Sequence, residues 1–288
     1  MTQRSRAILA GGTAATLALI LAGPPATAFA DGSLDDMRDR GKLRAAFVNE
    51  RPFGFIGADG QPTGEAPEIA RVILERIDIG ELEGALTEWP SLIPGLDAGR
   101  WDVIAAGMYI TPERCEQVLF TEPTYRVGQS FLVPAGNPKD LRSYDDVRDN
   151  PDVILGIMDG AVEAEYAARA GVPGRQIEEF PTQAEMGSAV RAGRVDAVAL
   201  STISIARMAE ESPRVEMVED FDTPAYAMGY GAFAFRLGDA QLRDAFNEAL
   251  VEFIGTDEHL ELVERFGFTA DNLPDIDREA LCAGEVHG

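Results

Sequence analysis

Residues 107–128, GMYITPERCEQVLFTEPTYRVG, decide how the rest of the chain is read. An apolar run ends at Tyr109, Thr-Pro-Glu-Arg follows at 111–114, and a second strand-like run begins after it. Arg114 therefore stands just past a strand and at the head of a helix. A guanidinium in that place is well set to hold an anion.

Upstream, 42–48 reads as a strand and 65–77 as a helix, with Ile69, Val72 and Ile73 at helical spacing. A strand over 82–89 and a short helix over 91–98, capped by Ser91, precede a third strand at 102–106. This alternation predicts a mostly parallel sheet with helices on its faces. Downstream, a strand at 130–133 ends at Pro134-Ala135-Gly136-Asn137-Pro138. A second set then begins, with strands at 153–158, 177–180 and 196–200 and helices at 161–170, 184–192 and 203–210. A strand at 215–218 closes it. The apolar, Gly-rich stretch 226–235 leads to helices at 242–254 and 258–266. Those last helices have no strands of their own, so they must pack on the first sheet. The expected architecture is α/β and two-lobed. Lobe 1 takes 31–129 and 229–288, and 130–228 holds the hinge segments and lobe 2. Strands near 130 and 226 are expected to cross between lobes as a hinge.

Residues 1–30 read as a cleavable signal peptide. Arg4 and Arg6 start it, an apolar run follows, Pro24-Pro25 breaks the run, and Ala28-Phe29-Ala30 forms the cleavage site. The remainder is expected to be exported and soluble. A formal charge of −24 argues against nucleic acid as partner. It suits a cationic or zwitterionic small ligand, although acidic surfaces also simply keep exported proteins soluble. The only histidines are His259 and His287, which excludes a His-based triad or zinc site. No Walker loop and no D-x-D-x-D-G loop is present. Gly229–Ala234 fits G-x-G-x-x-A, but strand-like sequence follows where a helix is required. No cofactor and no metal is expected. Cys115 and Cys282 are free to pair in an oxidising compartment, tying the tail to the first half; the alternative is two buried thiols.

Five residues lie at carboxyl ends of first-lobe strands, where open α/β sheets bind ligands. Glu50 and Phe53 follow the first strand, Trp89 ends the second, and Tyr109 ends the third, with Arg114 close behind. Each aromatic alone reads equally as core, and Arg114 alone as a partner of Glu113 or Glu116. Together they form an aromatic box for a delocalised cation, with Glu50 as counter-charge and Arg114 as carboxylate clamp. Such a pair of sites describes a zwitterion. In the second lobe, Gly160 opens a strand-to-helix loop. The backbone N–H groups of Ala161, Val162 and Glu163 there offer a second anion contact, or else form an ordinary turn.

The chain resembles the type II periplasmic solute-binding proteins of polar amino acid ABC importers. The resemblance rests on Pro52–Phe55, Gly64–Ala70, Leu92–Leu96, Gly107–Met108 with Ile110–Arg114, and Gly193–Ala197. It implies a non-catalytic, monomeric receptor outside the cytoplasm that delivers its ligand to membrane permease subunits. It also implies that Arg114 holds the ligand's carboxylate. Three positions depart from the pattern. Tyr109 replaces a small hydroxyl residue, and Ala161 replaces a threonine. Ser201 or Thr202 stands where an acid usually takes the α-ammonium. An ordinary α-amino acid is then disfavoured, since a buried ammonium needs a partner. Within the family, the aromatic pattern resembles the ectoine- and hydroxyectoine-binding receptors. By that resemblance Glu50, Phe53, Trp89 and Tyr109 hold the cationic ring. The alternatives are a receptor for a polar or cationic amino acid, a periplasmic dehydratase using Glu50 or Glu163 as acid or base, and a sensor ectodomain.

Overall fold

The computed structural model describes residues 34–285, so the expected signal peptide lies outside the described residues. The first half contains α1 (Leu34–Arg40), β1 (Lys42–Phe47), β2 (Phe55–Ile56), β3 (Pro62–Thr63), α2 (Glu65–Arg76), β4 (Glu81–Leu86), α3 (Leu92–Asp97), β5 (Val103–Tyr109) and α4 (Pro112–Cys115). Next come β6 (Leu119–Phe120), β7 (Tyr125–Val127), β8 (Gln129–Pro134), α5 (Tyr144–Asp149), β9 (Leu155–Met158), α6 (Glu163–Arg169), β10 (Ile177–Phe180), α7 (Gln183–Ala192) and β11 (Ala197–Ser201). The chain finishes with α8 (Thr202–Glu210), β12 (Val215–Met217), β13 (Gly229–Phe235), α9 (Ala240–Phe253), α10 (Asp257–Glu264) and α11 (Arg278–Cys282).

One sheet runs β4-β1-β5-β13-β6, with β7 also paired to β13; the other runs β10-β9-β11-β8-β12. Strands β1, β4 and β5 are mutually parallel, as are β9, β10 and β11. Strand β13 is antiparallel to β5, and β8 is antiparallel to β11 and β12. The two expected crossings are present: the chain passes between sheets at Gly128, between β7 and β8, and again within 218–228, between β12 and β13, each of these strands belonging to one sheet. A segment returning from the other lobe enters its sheet from the opposite end, hence its direction. Alternation of apolar residues carries no information about that direction.

The late helices cover the first sheet. Leu242, Phe246, Leu250 and Phe253 form the buried stripe of α9. The Phe246 ring lies 4.8 Å from Phe233 and 5.4 Å from Phe235 of β13. Each such side chain contributes about 1.5–3 kcal/mol on burial. On α2, Ile69, Ala70, Ile73 and Leu74 are buried, while Val72 is half-buried.

Two local readings are corrected. The strand expected over 82–89 stops at Leu86, and Trp89 opens a 3-10 turn, Trp89–Ser91. Pro90 sits in the first positions of that turn, where a missing N–H is tolerated. Ser91 is itself helical and its side chain makes no cap. At the C-terminus, Cys115 of α4 and Cys282 of α11 form a disulfide with Cα atoms 5.7 Å apart. It fastens the tail to the element that carries Arg114. No helix among the described residues is long and apolar enough to cross a membrane.

Candidate functional site

Thr111 caps α4 by accepting the Arg114 N–H at 3.3 Å. This one-turn helix folds the Arg114 side chain back, and its Nη1 donates to the Tyr109 carbonyl at 3.1 Å. Tyr109 ends β5 flat against β13. A Cβ on Gly229 would stand 2.2 Å from its ring, and one on Gly231 would stand 2.2 Å from the Tyr125 ring. The two glycines of 229–231 thus seat two tyrosines. Phe53 stacks on Tyr125 at 5.0 Å and meets the edge of Phe268 at 5.7 Å. It also closes over Gly107, whose φ of +67° and contact with the Phe53 and Tyr125 side chains leave no room for a side chain.

Several of these residues wall a small cavity between the two sheets. Glu50, Phe53, Trp89, Tyr109 and Arg114 line it from one side. Ala161, Val162, Glu163 and Leu200 line it from the other, and Gly107 completes it. The three box aromatics make no ring contact with one another among the described residues. Among those residues, too, no group of three or more His, Cys, Asp or Glu is placed to hold a metal ion.

The electrostatics are those of a desolvated, mixed-charge site. Glu50 is 5% exposed. Burial pushes its carboxyl up to about 7, against the opposing effect of two donors. Ser204 Oγ donates to Oε1 at 2.9 Å, and Trp89 Nε1 donates to Oε2 at 3.2 Å. Trp89 therefore orients Glu50 as well as walling the cavity. Arg114 has no carboxylate within 4.0 Å among the described residues, so the expected alternative pairing with Glu113 or Glu116 is not formed. Burial lowers its pKa, and the nearby Tyr166, Glu165 and Glu163 oppose that shift. Its guanidinium carbon lies 5.7 Å from the Trp89 ring centroid. An arginine so placed is a ready partner for a ligand anion.

The second-lobe loop differs from the expected N–H cradle. Helix α6 starts only at Glu163. The Ala161 N–H is taken by the Met158 carbonyl at 3.1 Å, and the Glu163 N–H bonds to its own carboxylate. What this loop presents instead is the Glu163 side chain, a buried acid. Gly160 lies outside the cavity lining and faces Pro90. Ser201 hydrogen-bonds with the Tyr109 hydroxyl, and the Thr202 N–H donates to the Gly128 carbonyl at 3.0 Å. Neither lines the cavity.

Sequence reasoning missed Ser204, Gln129, Gln183 and Tyr125. Gln183 Nε2 donates to the Arg51 carbonyl at 2.9 Å, and its Oε1 accepts the Arg51 N–H at 3.0 Å. The single Ser204 hydroxyl proton is shared with the Arg51 carbonyl, whose oxygen lies 3.0 Å from Oγ. These bonds join α7 and α8 of the second lobe to the turn that carries Glu50. The lobes are closed on each other.

A two-lobed α/β molecule with a buried, mixed-charge cavity between its sheets defines a type II periplasmic-binding fold. The chain belongs to the bacterial extracellular solute-binding proteins, family 3, whose family model matches residues 43–269. It is 37% identical over 279 residues to the probable amino-acid ABC transporter periplasmic-binding protein y4tE of Sinorhizobium fredii, covering 94% of this chain and 91% of that protein. Its fold matches the crystal structure of EhuB in complex with hydroxyectoine, with a TM-score of 0.81 and 34% identity, over 88% of this chain and 98% of EhuB. It also matches an ancestral amino acid-binding protein, AncCDT-1, a precursor of cyclohexadienyl dehydratase. There the TM-score is 0.71 and the identity 29%, over 81% of this chain and 98% of that one. The protein is thus an extracytoplasmic ABC-importer receptor for amino acids or related small ligands, working with permease subunits.

Proposed function

We propose that the cavity binds a small zwitterion of the ectoine class, ectoine or hydroxyectoine. The observation that carries this reading is Arg114, half-buried with no carboxylate within 4.0 Å among the described residues, in one cavity with Glu50 and three separated aromatic rings. Arg114 takes the ligand's carboxylate. Phe53, Trp89 and Tyr109 enclose its delocalised cation, each face adding about 0.5–2 kcal/mol when desolvated. Glu50 supplies the counter-charge. The similarity to EhuB, solved with hydroxyectoine, supports the same reading. The protein works as a monomer, after loss of a leader over residues 1–30. Its lobes, 31–129 with 229–288 and 130–228, open about Gly128 and the 218–228 segment, and the Ser204 and Gln183 bonds re-form on closure.

A receptor for a polar or cationic amino acid is the second reading, and one observation favours it. Glu163 puts an acid in the cavity with Leu200, next to the stretch where Ser201 or Thr202 stands in place of the family's usual acid. Calorimetric titration of the ligand-stripped protein with ectoine, hydroxyectoine, glycine betaine, arginine and glutamine separates the two. Binding confined to the ectoines supports the first. Binding of a free α-amino acid in preference to them overturns it, and turnover of any ligand would overturn the receptor role itself.

A further inference from the structure

Three charged side chains face the cavity: Glu50, Glu163 and Arg114. With both carboxyls ionised, they leave one negative charge uncompensated. A zwitterion adds no net charge, so closing over it would bury that excess at a large desolvation cost. Two remedies exist. One carboxyl keeps a proton taken from solvent, or the ligand brings one net positive charge.

The placement indicates which carboxyl keeps the proton: Glu50 stands among the rings of Phe53, Trp89 and Tyr109 that take the ligand's cation, whereas Glu163 lies on the opposite wall with Ala161, Val162 and Leu200. Glu50 receives two side-chain donors, from Trp89 and Ser204, and both favour its ionised form. Glu163 is 3% exposed and receives one, from Gln129. With its amide nitrogen turned toward both acceptors, Gln129 donates to Glu163 Oε1 and to the Leu200 carbonyl, each at 3.1 Å. The Glu163 backbone N–H is its remaining protein donor. Around it the charged groups are Glu50, Arg114 and the neighbouring Glu165. The other titratable neighbours are the phenols of Tyr109, Tyr125, Tyr144 and Tyr166, all pushed further up by burial and so neutral.

We propose that Glu163 sets the net charge of ligand that the closed cavity accepts: protonated, it admits a neutral zwitterion, and ionised, it demands a ligand with one net positive charge. This deepens the reading of the cavity as the ligand site. It does not depend on the zwitterion being an ectoine. Burial raises both carboxyls, Glu50 to about 7 and Glu163 to about 8, so a proton is held in the cavity near neutral pH. A zwitterion's cation needs Glu50 ionised, so affinity rises with pH through about 7. It then falls as Glu163 loses its proton, by up to about tenfold between pH 8 and 9.

The test is calorimetric titration of ligand-stripped wild type and Glu163→Gln with ectoine, glutamine and arginine, at pH values from about 6 to about 9. The expected wild-type profile for a neutral zwitterion is bell-shaped, with arginine gaining on it above about pH 8. In E163Q the alkaline fall disappears, and so does the gain of arginine. If E163Q keeps the alkaline fall, or the wild type prefers arginine with a flat profile, the proposal is overturned. If glutamine binds with the bell and ectoine does not bind, the ectoine reading fails and this proposal stands. If ectoine binds with no alkaline limb, the reverse holds. A ligand-free readout guards against silence in the titrations. The melting temperature of E163Q relative to wild type rises between about pH 6 and 9, because only the wild type must ionise a buried acid. A pH-independent difference contradicts the proposal.

Discussion

Ser204→Ala tests the closed cleft at a residue outside the cavity lining. The Ser204 hydroxyl, fully buried on α8, reaches across to Glu50 Oε1 at 2.9 Å and the Arg51 carbonyl at 3.0 Å. Its loss strips a charge-assisted bond from a carboxylate that is 5% exposed. A hydrogen bond to a charged group is worth about 1.5–3 kcal/mol, and each 1.4 kcal/mol is about tenfold in an equilibrium constant. Closure weakens by about 10–100-fold, and because ligand affinity includes closure, Kd rises with it. Water entering the gap recovers part of this, so the lower end is expected. A second effect has a definite sign. Ser204 stabilises ionised Glu50, so its removal raises the Glu50 pKa further, and the acid limb of the binding profile moves to higher pH. Calorimetry across pH measures both, and small-angle scattering reports closure. Unchanged affinity together with an unmoved acid limb would refute the interlobe role of Ser204.

Arg114→Ala should weaken ligand binding at least about tenfold by leaving a buried carboxylate unpaired; titration that shows no loss removes Arg114 from the site. Gly231→Ala forces a methyl to within 2.2 Å of the Tyr125 ring that supports Phe53. Overpacking there should cost about 1–3 kcal/mol, lowering both melting temperature and affinity in parallel. Reduction of Cys115–Cys282, which closes a separation of 167 residues, should lower stability by at most about 5 kcal/mol on the chain-entropy account; denaturant titration with and without reductant measures it. Burial raises Glu65 to about 8, above its unfolded value. Its contribution is therefore fully present below the ordinary carboxylate range and lost as pH rises through about 8. Glu65→Gln should raise the melting temperature at about pH 9 and change it little near pH 4.

Much of this was legible in the chain. Strand and helix alternation showed two α/β sets, since period and breakers carry that information locally. The strand-end rule gathered Glu50, Phe53, Tyr109 and Arg114, because a parallel sheet puts the loops after its strands on one edge. Trp89 joined them for a different reason, at a proline-led turn beyond the strand. What was not legible depended on contacts distant in sequence. Ser204 meets Glu50 across 154 residues and Gln183 meets Arg51 across 132. No local pattern marks either. Gly229 and Gly231 resembled a dinucleotide motif, and only the packed rings of Tyr109 and Tyr125 show why side chains are excluded there. At 161–163 the Ala161 N–H is taken by the Met158 carbonyl, a local turn that the sequence pattern did not mark.

The most direct measurement is a crystal structure of the protein with ectoine or hydroxyectoine bound. The account predicts the ligand carboxylate within about 3 Å of the Arg114 guanidinium. Its cationic ring should lie between Phe53, Trp89 and Tyr109, with Glu50 on its nitrogen. A ligand whose carboxylate points away from Arg114, or which lies outside this cavity, would contradict it.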